Sequence, residues 1–148
     1  MKKSFSLFEI LFVLVIISIV ASVALNKSFY NIDNALLLKA KSDVSLVQSA
    51  LNEYKNRMLL KQENMNLYNL DEASVNTKDL KLFDKIIQDI VFISTSSDEL
   101  KKGLWIKTSN NSYEFVISKD EQIEFKYDIN RNKFECDLSK LYCADIIQ

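Results

Sequence analysis

The 148-residue chain has no histidine and no proline, one glycine (Gly103) and one tryptophan (Trp105). Each shortage excludes something. Without imidazole the chain lacks the commonest general base and the commonest metal ligand, so histidine-based hydrolase and zinc readings lose their main component. Proline is absent and the single glycine lies beyond residue 100, so neither breaker interrupts the earlier chain, which favours long helices there. Charge of either sign is not in excess: 19 Lys and Arg stand against 20 Asp and Glu, a net charge of −1. That leaves no electrostatic footprint for nucleic acid. No nucleophile stands with a base, no glycine-rich loop could cradle phosphate, and no acids pair at a defined spacing. The expectation is a protein that is not an enzyme, with no catalytic residues, no cofactor and no metal-ligand set.

What the chain has in quantity is one apolar run. From Phe5 to Leu25 the only polar residues are Ser6, Glu9, Ser18 and Ser22. As a helix this run would span about 31 Å, the thickness of a hydrocarbon core. Lys2 and Lys3 precede it, which orients the amino end towards the cytoplasm. Glu9 is the residue that needs explaining, because an acid at mid-membrane costs about 2.5 to 3.5 kcal/mol on insertion scales. Three readings compete. A secretory signal peptide would be cut after Ala24, behind the small residues Ser22 to Ala24. A plain single-span anchor leaves Glu9 without a purpose, unless it lies at headgroup depth beside the positive helix end. The third reading gives the carboxylate a partner.

That third reading comes from a resemblance. KKSFSLFEILFVLVIISIV resembles the amino-terminal processing segment of the type IV pilin family, which includes the pseudopilins of type II secretion systems. The matching parts are a short basic leader (Met1 to Lys3), a small residue (Ser4, where the family usually has glycine) and a hydrophobic new terminus (Phe5). Three residues later comes Glu9, then apolar helix from Ile10 to Leu25. The resemblance implies cleavage between Ser4 and Phe5 by a prepilin peptidase and N-methylation of Phe5. Glu9 would pair with the amino terminus of a neighbouring subunit during assembly. It further implies other pilin or pseudopilin subunits and an inner-membrane assembly platform as partners. The chain would be a single-pass inner-membrane protein with a periplasmic head, assembled into a pilus or pseudopilus. The domain organisation expected is a leader over 1–4, a transmembrane half-helix over 5–25, and a head over 26–148 that includes the amphipathic half of the helix.

The remainder reads as α+β. Phe29, Ile32, Leu36, Ala40, Val44, Val47, Leu51, Tyr54 and Met58 recur every three or four residues, predicting one helix that continues to about Lys61 with a single buried face. Gln62 to Asn76 reads as loop. Asn76 or Thr77 is expected to cap a second helix to about Val91, with Leu80, Phe83, Ile87 and Ile90 on one side. Ile93 to Lys102 reads as a serine-rich connection. From Gly103 the period falls to two: Leu104 and Ile106, then Tyr113, Phe115 and Ile117, then Ile123, Phe125 and Tyr127. Asn110-Asn111 and Lys119-Asp120 mark turns. With a last strand near Lys133 to Cys136, this predicts a small antiparallel sheet of three or four strands on the helical stripe. That agrees with the pilin fold, a long amino-terminal helix packed on such a sheet.

Two local features remain. Cys136 and Cys143 can close a short carboxyl-terminal loop as a disulfide in an oxidising compartment, or remain two unpaired core thiols. Asp128 to Asn132 alternates oxygen-bearing side chains like a calcium loop. However, Lys133 stands where such a loop needs glycine and Ser139 where it needs glutamate, so a hairpin turn is expected. Two functions of a different class stay open beside the filament subunit: a membrane-tethered monomeric binding module, and a secreted domain cut after Ala24.

Overall fold

A computed structural model describes residues 7–64, 67–140 and 142–147, with the backbone alone for 23–33. The chain forms two compact units, residues 1–35 and 36–148. The architecture is α+β: a long helix and small antiparallel sheets. Helix α1 runs Leu7–Lys61, 55 residues.

From Leu7 to Ser22, α1 is apolar but for Glu9, Ser18 and Ser22, and its side chains are exposed, Leu7 at 79% and Val20 at 62% among them. The Ser18 hydroxyl donates to the Leu14 carbonyl one turn back at 2.7 Å, so its polarity is satisfied inside the helix. Among the described residues no helix is long and apolar enough to cross a membrane. The expected span, Phe5 to Leu25, has described side chains only from Leu7 to Ser22, which is about 24 Å of helix.

In the second unit the predicted stripe is buried from Leu36 to Tyr54, while Met58 is half-buried and outside the core. Ala40, Val44, Val47 and Leu51 lie in the core, with Leu36 and Tyr54 packed at its margin; Phe29 and Ile32 lie outside the described side chains. Facing the stripe is a four-stranded antiparallel meander, in spatial order β3 (Trp105–Lys107), β4 (Ser112–Val116), β5 (Gln122–Asp128) and β6 (Lys133–Glu135). Register places Trp105 opposite Phe115, Tyr113 opposite Phe125, and Tyr127 opposite Phe134. The aromatics collect on the core face, where Phe134 stacks on Phe125 at 5.4 Å and meets Tyr113 edge-on at 5.8 Å. Each such pair contributes about 0.5 to 1.5 kcal/mol beyond its area.

Two expectations are corrected. The helix predicted up to Val91 does not form. In its place are β1 (Lys81–Leu82) and β2 (Phe92–Ile93), paired antiparallel. Asn76, Asp79 and Phe83 have φ of 51°, 60° and 60°, a left-handed backbone that cannot continue a right-handed helix. Their amides serve tertiary partners instead: Asn76 N–H donates to Lys107 O at 2.8 Å and Asp79 N–H to Ser94 O at 3.0 Å. For Phe83 the left-handed conformation costs about 1 to 2 kcal/mol. Complete burial against the rings of Phe92, Trp105, Tyr113 and Phe134 is worth about 1.5 to 3 kcal/mol, so burial wins.

The second correction concerns β3. Trp105 and Lys107 share the core face with Phe115 and Tyr113, which puts Leu104 and Ile106 on the opposite one. The serine-rich connection expected between Ile93 and Lys102 is packed rather than loose. Ser94, Thr95 and Ser96 are buried, and the Ser94 hydroxyl accepts from Leu80 N–H while donating to Thr77 O.

Beyond the expectations, a short helix α2 (Cys143–Ile147) ends the described chain and buries Ile146 in the core.

Candidate functional site

Glu9 lies in the first turn of α1, exposed among Phe8 at 84%, Ile10 at 54% and Phe12 at 65%. Among the described residues its carboxylate has no partner. A helix apolar on every side is normally covered, by lipid or by other helices. Covering this one strips water from Glu9 as well, and a desolvated carboxylate needs a cation. Ser4 and Phe5, the expected cleavage and methylation positions, lie outside the described residues.

Cys136 and Cys143 are bonded, their Cα atoms 5.9 Å apart. The bridge ties the end of the sheet to the start of α2, where Lys41 Nζ of α1 donates to the Asp145 carbonyl at 3.3 Å. The sequence places both cysteines correctly, and the geometry selects the disulfide over unpaired thiols.

Asp128 to Asn132 forms the β5–β6 turn. Asp128 Oδ1 accepts the Asn130 and Arg131 amides at 2.9 and 3.1 Å. Its Oδ2 accepts Arg131 Nε at 2.7 Å, and the same guanidinium reaches Glu135. The cation in this acidic turn is therefore Arg131, which holds the Asp128 carboxyl below its ordinary range, first by its side-chain hydrogen bond.

On the outer face of the sheet, Glu114 and Glu124 stand directly opposite each other. Lys140 Nζ reaches Glu124 at 3.0 Å. Partial burial, then the Glu124 charge, raise the Glu114 carboxyl above its usual range, with Lys140 acting the other way.

One constellation was missed from sequence. Asp71, fully buried, meets Lys107 Nζ at 2.6 Å, with Lys107 itself 3% exposed. Asp71 Oδ1 also accepts the Ala73 amide at 3.1 Å. Its Oδ2 accepts the Tyr113 hydroxyl at 2.8 Å and the Phe83 amide at 3.2 Å. A signal did exist. Starting the alternation at Trp105 instead of Leu104 places Lys107 inward beside Tyr113, and an inward lysine demands an acid.

No protein-family model matches the chain, and no curated protein or solved structure matches it.

Proposed function

We propose that the chain is a structural subunit, a minor pilin or pseudopilin, of a type IV pilus or a type II secretion pseudopilus. One observation carries this reading: a lone carboxylate, Glu9, in the first turn of α1, within its exposed and otherwise largely apolar stretch from Leu7 to Ser22. The leader over 1–4 is removed after Ser4, and Phe5 becomes an N-methylated terminus that keeps its positive charge. In the inner membrane the subunit has its amino end at the cytoplasmic side and its head in the periplasm.

As subunits leave the bilayer, apolar helices cover one another and the terminal amine of each is buried. Glu9 of a neighbour supplies the counter-charge. At 4 Å and an effective dielectric of 20 the attraction is about 4 kcal/mol before desolvation is subtracted. The pair acts mainly on register, because a subunit added at the wrong height would bury both charges unpaired. Contact of this head-to-tail kind is heterologous and propagates as a helical fibre. The α+β head with its disulfide agrees with the reading, and the disulfide suits an oxidising compartment.

The test is an intact-mass measurement of the mature protein recovered from membranes. A chain beginning at N-methylated Phe5 is expected. A chain beginning at Leu25 would identify a secreted domain, and one retaining Met1 to Ser4 would identify an unprocessed tether.

A further inference from the structure

Lys107 is a buried amine that the filament reading leaves without a task. Its Nζ lies 2.6 Å from Asp71 Oδ1, and so at most one C–O bond further from the carboxyl carbon. Neither residue has appreciable access to water: Asp71 is fully buried and Lys107 is 3% exposed. In so dry a place little water competes for the contact, and the first step passes one proton from Nζ to Oδ1, leaving an amine lone pair facing the acid.

We propose that Lys107 and Asp71 become joined by an intramolecular amide bond that the folded chain forms by itself.

The two oxygens of Asp71 are equipped differently, and the difference matches what such a reaction needs. Oδ2 accepts from Tyr113 Oη at 2.8 Å and from the Phe83 amide at 3.2 Å. These two fixed donors face the oxygen that becomes negative when the nitrogen adds to the carbon. Oδ1 faces Lys107 Nζ and the Ala73 amide at 3.1 Å, so it is the oxygen that collects protons and departs.

The balance is complete without any oxidant or co-reactant. Nζ gives one proton to Oδ1, and its lone pair attacks the Asp71 carbon. The nitrogen then gives a second proton to the same oxygen. The Nζ–Cγ bond forms, the Cγ–Oδ1 bond breaks, and one water leaves, while the amide nitrogen keeps its last hydrogen. Tyr113 remains a donor throughout, because burial pushes its phenol far above the ordinary tyrosine range. Preset contact replaces the encounter that makes this reaction slow between free molecules. Exclusion of water from the product hinders the reverse step.

The bond would tie the segment before β1 to β3 across a separation of 36 residues. β1, β2 and the Ser94 to Ser96 run would sit inside a covalent loop that pulling cannot extend. This inference is independent of the filament reading, since an unprocessed amino terminus would leave it untouched.

The experiment is tandem mass spectrometry of the full-length protein after reduction and trypsin digestion. The expected result is a branched peptide joining the Asp71 segment to the Lys107 segment, lighter by one water than the two together, with no cleavage after Lys107. Lys107→Arg keeps the charge but cannot form the bond, so it is expected at its full mass. Tyr113→Phe keeps the ring and should slow the appearance of the branched peptide after refolding. Wild-type protein with a linear peptide ending at Lys107 and an unmodified Asp71 would overturn the proposal and leave a simple ion pair. A lost water that maps to any other residue would overturn it equally.

Discussion

Gln48 of α1 acts as a strand partner for Phe134 of β6: its Oε1 accepts the Phe134 amide at 2.9 Å. Its Nε2 donates to the Asn132 carbonyl at 3.2 Å, and Asn132 returns a bond from Nδ2 to the Leu51 carbonyl at 3.1 Å. Strand β6 is the last of its sheet, and its free edge would otherwise present unpaired backbone groups to any passing chain. Two side-chain amides close it against the helix.

Gln48→Leu leaves the Phe134 amide without its acceptor. The expected loss is about 1 to 3 kcal/mol, the cost of a buried unsatisfied donor. A lower denaturant midpoint with an unchanged slope in urea unfolding would register it. Gln48→Glu keeps the acceptor, so it should recover part of the loss.

Glu114 gives a pH dependence with a definite sign. Its folded carboxyl titrates above the ordinary range, so over the interval between its unfolded and folded values the native state holds more protons than the unfolded state. Stability therefore falls as pH rises through that interval. Glu114→Gln removes the penalty and should raise the melting temperature at neutral pH. The difference from wild type should disappear below the carboxylate range. A constant difference at every pH would show that the Glu124 contact does not act through charge.

Cys136→Ser/Cys143→Ser opens the loop behind α2. On the chain-entropy account the bridge contributes about 2 to 3 kcal/mol. The double variant and reduced wild-type protein are expected to unfold at the same midpoint, below that of the oxidised protein. Hydrogen exchange should quicken first around Ile146, which is buried at the core's edge.

Glu9→Leu separates a filament subunit from a tether. A tether gains from losing an acid in an apolar helix. A subunit should insert and be processed as before, yet lose assembly by at least tenfold. The readouts are membrane fractionation alongside filament yield from the same cells.

Much of the second unit was legible. The stripe from Leu36 to Tyr54 and the strands around Tyr113, Phe125 and Phe134 follow from periods of 3.6 and 2, which burial on one face imposes directly. The bonded cysteines and the turn at Asp128 were equally visible. The segment from Asn76 to Val91 was not. Leu80, Phe83, Ile87 and Ile90 carry a helical spacing, but Leu82 and Phe92 are buried as well. The amides there bond to residues as distant as Ser94 and Lys107, and local propensity yields to such tertiary contacts. Asp71 was hidden for a related reason: its side-chain partners, Lys107 and Tyr113, lie 36 and 42 residues away, and nothing in its neighbourhood announces them. At the amino end Glu9 stands out because it is the one acid in an apolar run, and the assembly role proposed for it rests on the cost of a charge in hydrocarbon.

Arg131 lies between Asp128 and Glu135 in the β5–β6 hairpin, and its guanidinium comes from the same polypeptide it steadies. That turn has its positive charge from the moment it is synthesised. It can close using only groups that arrive together along the chain.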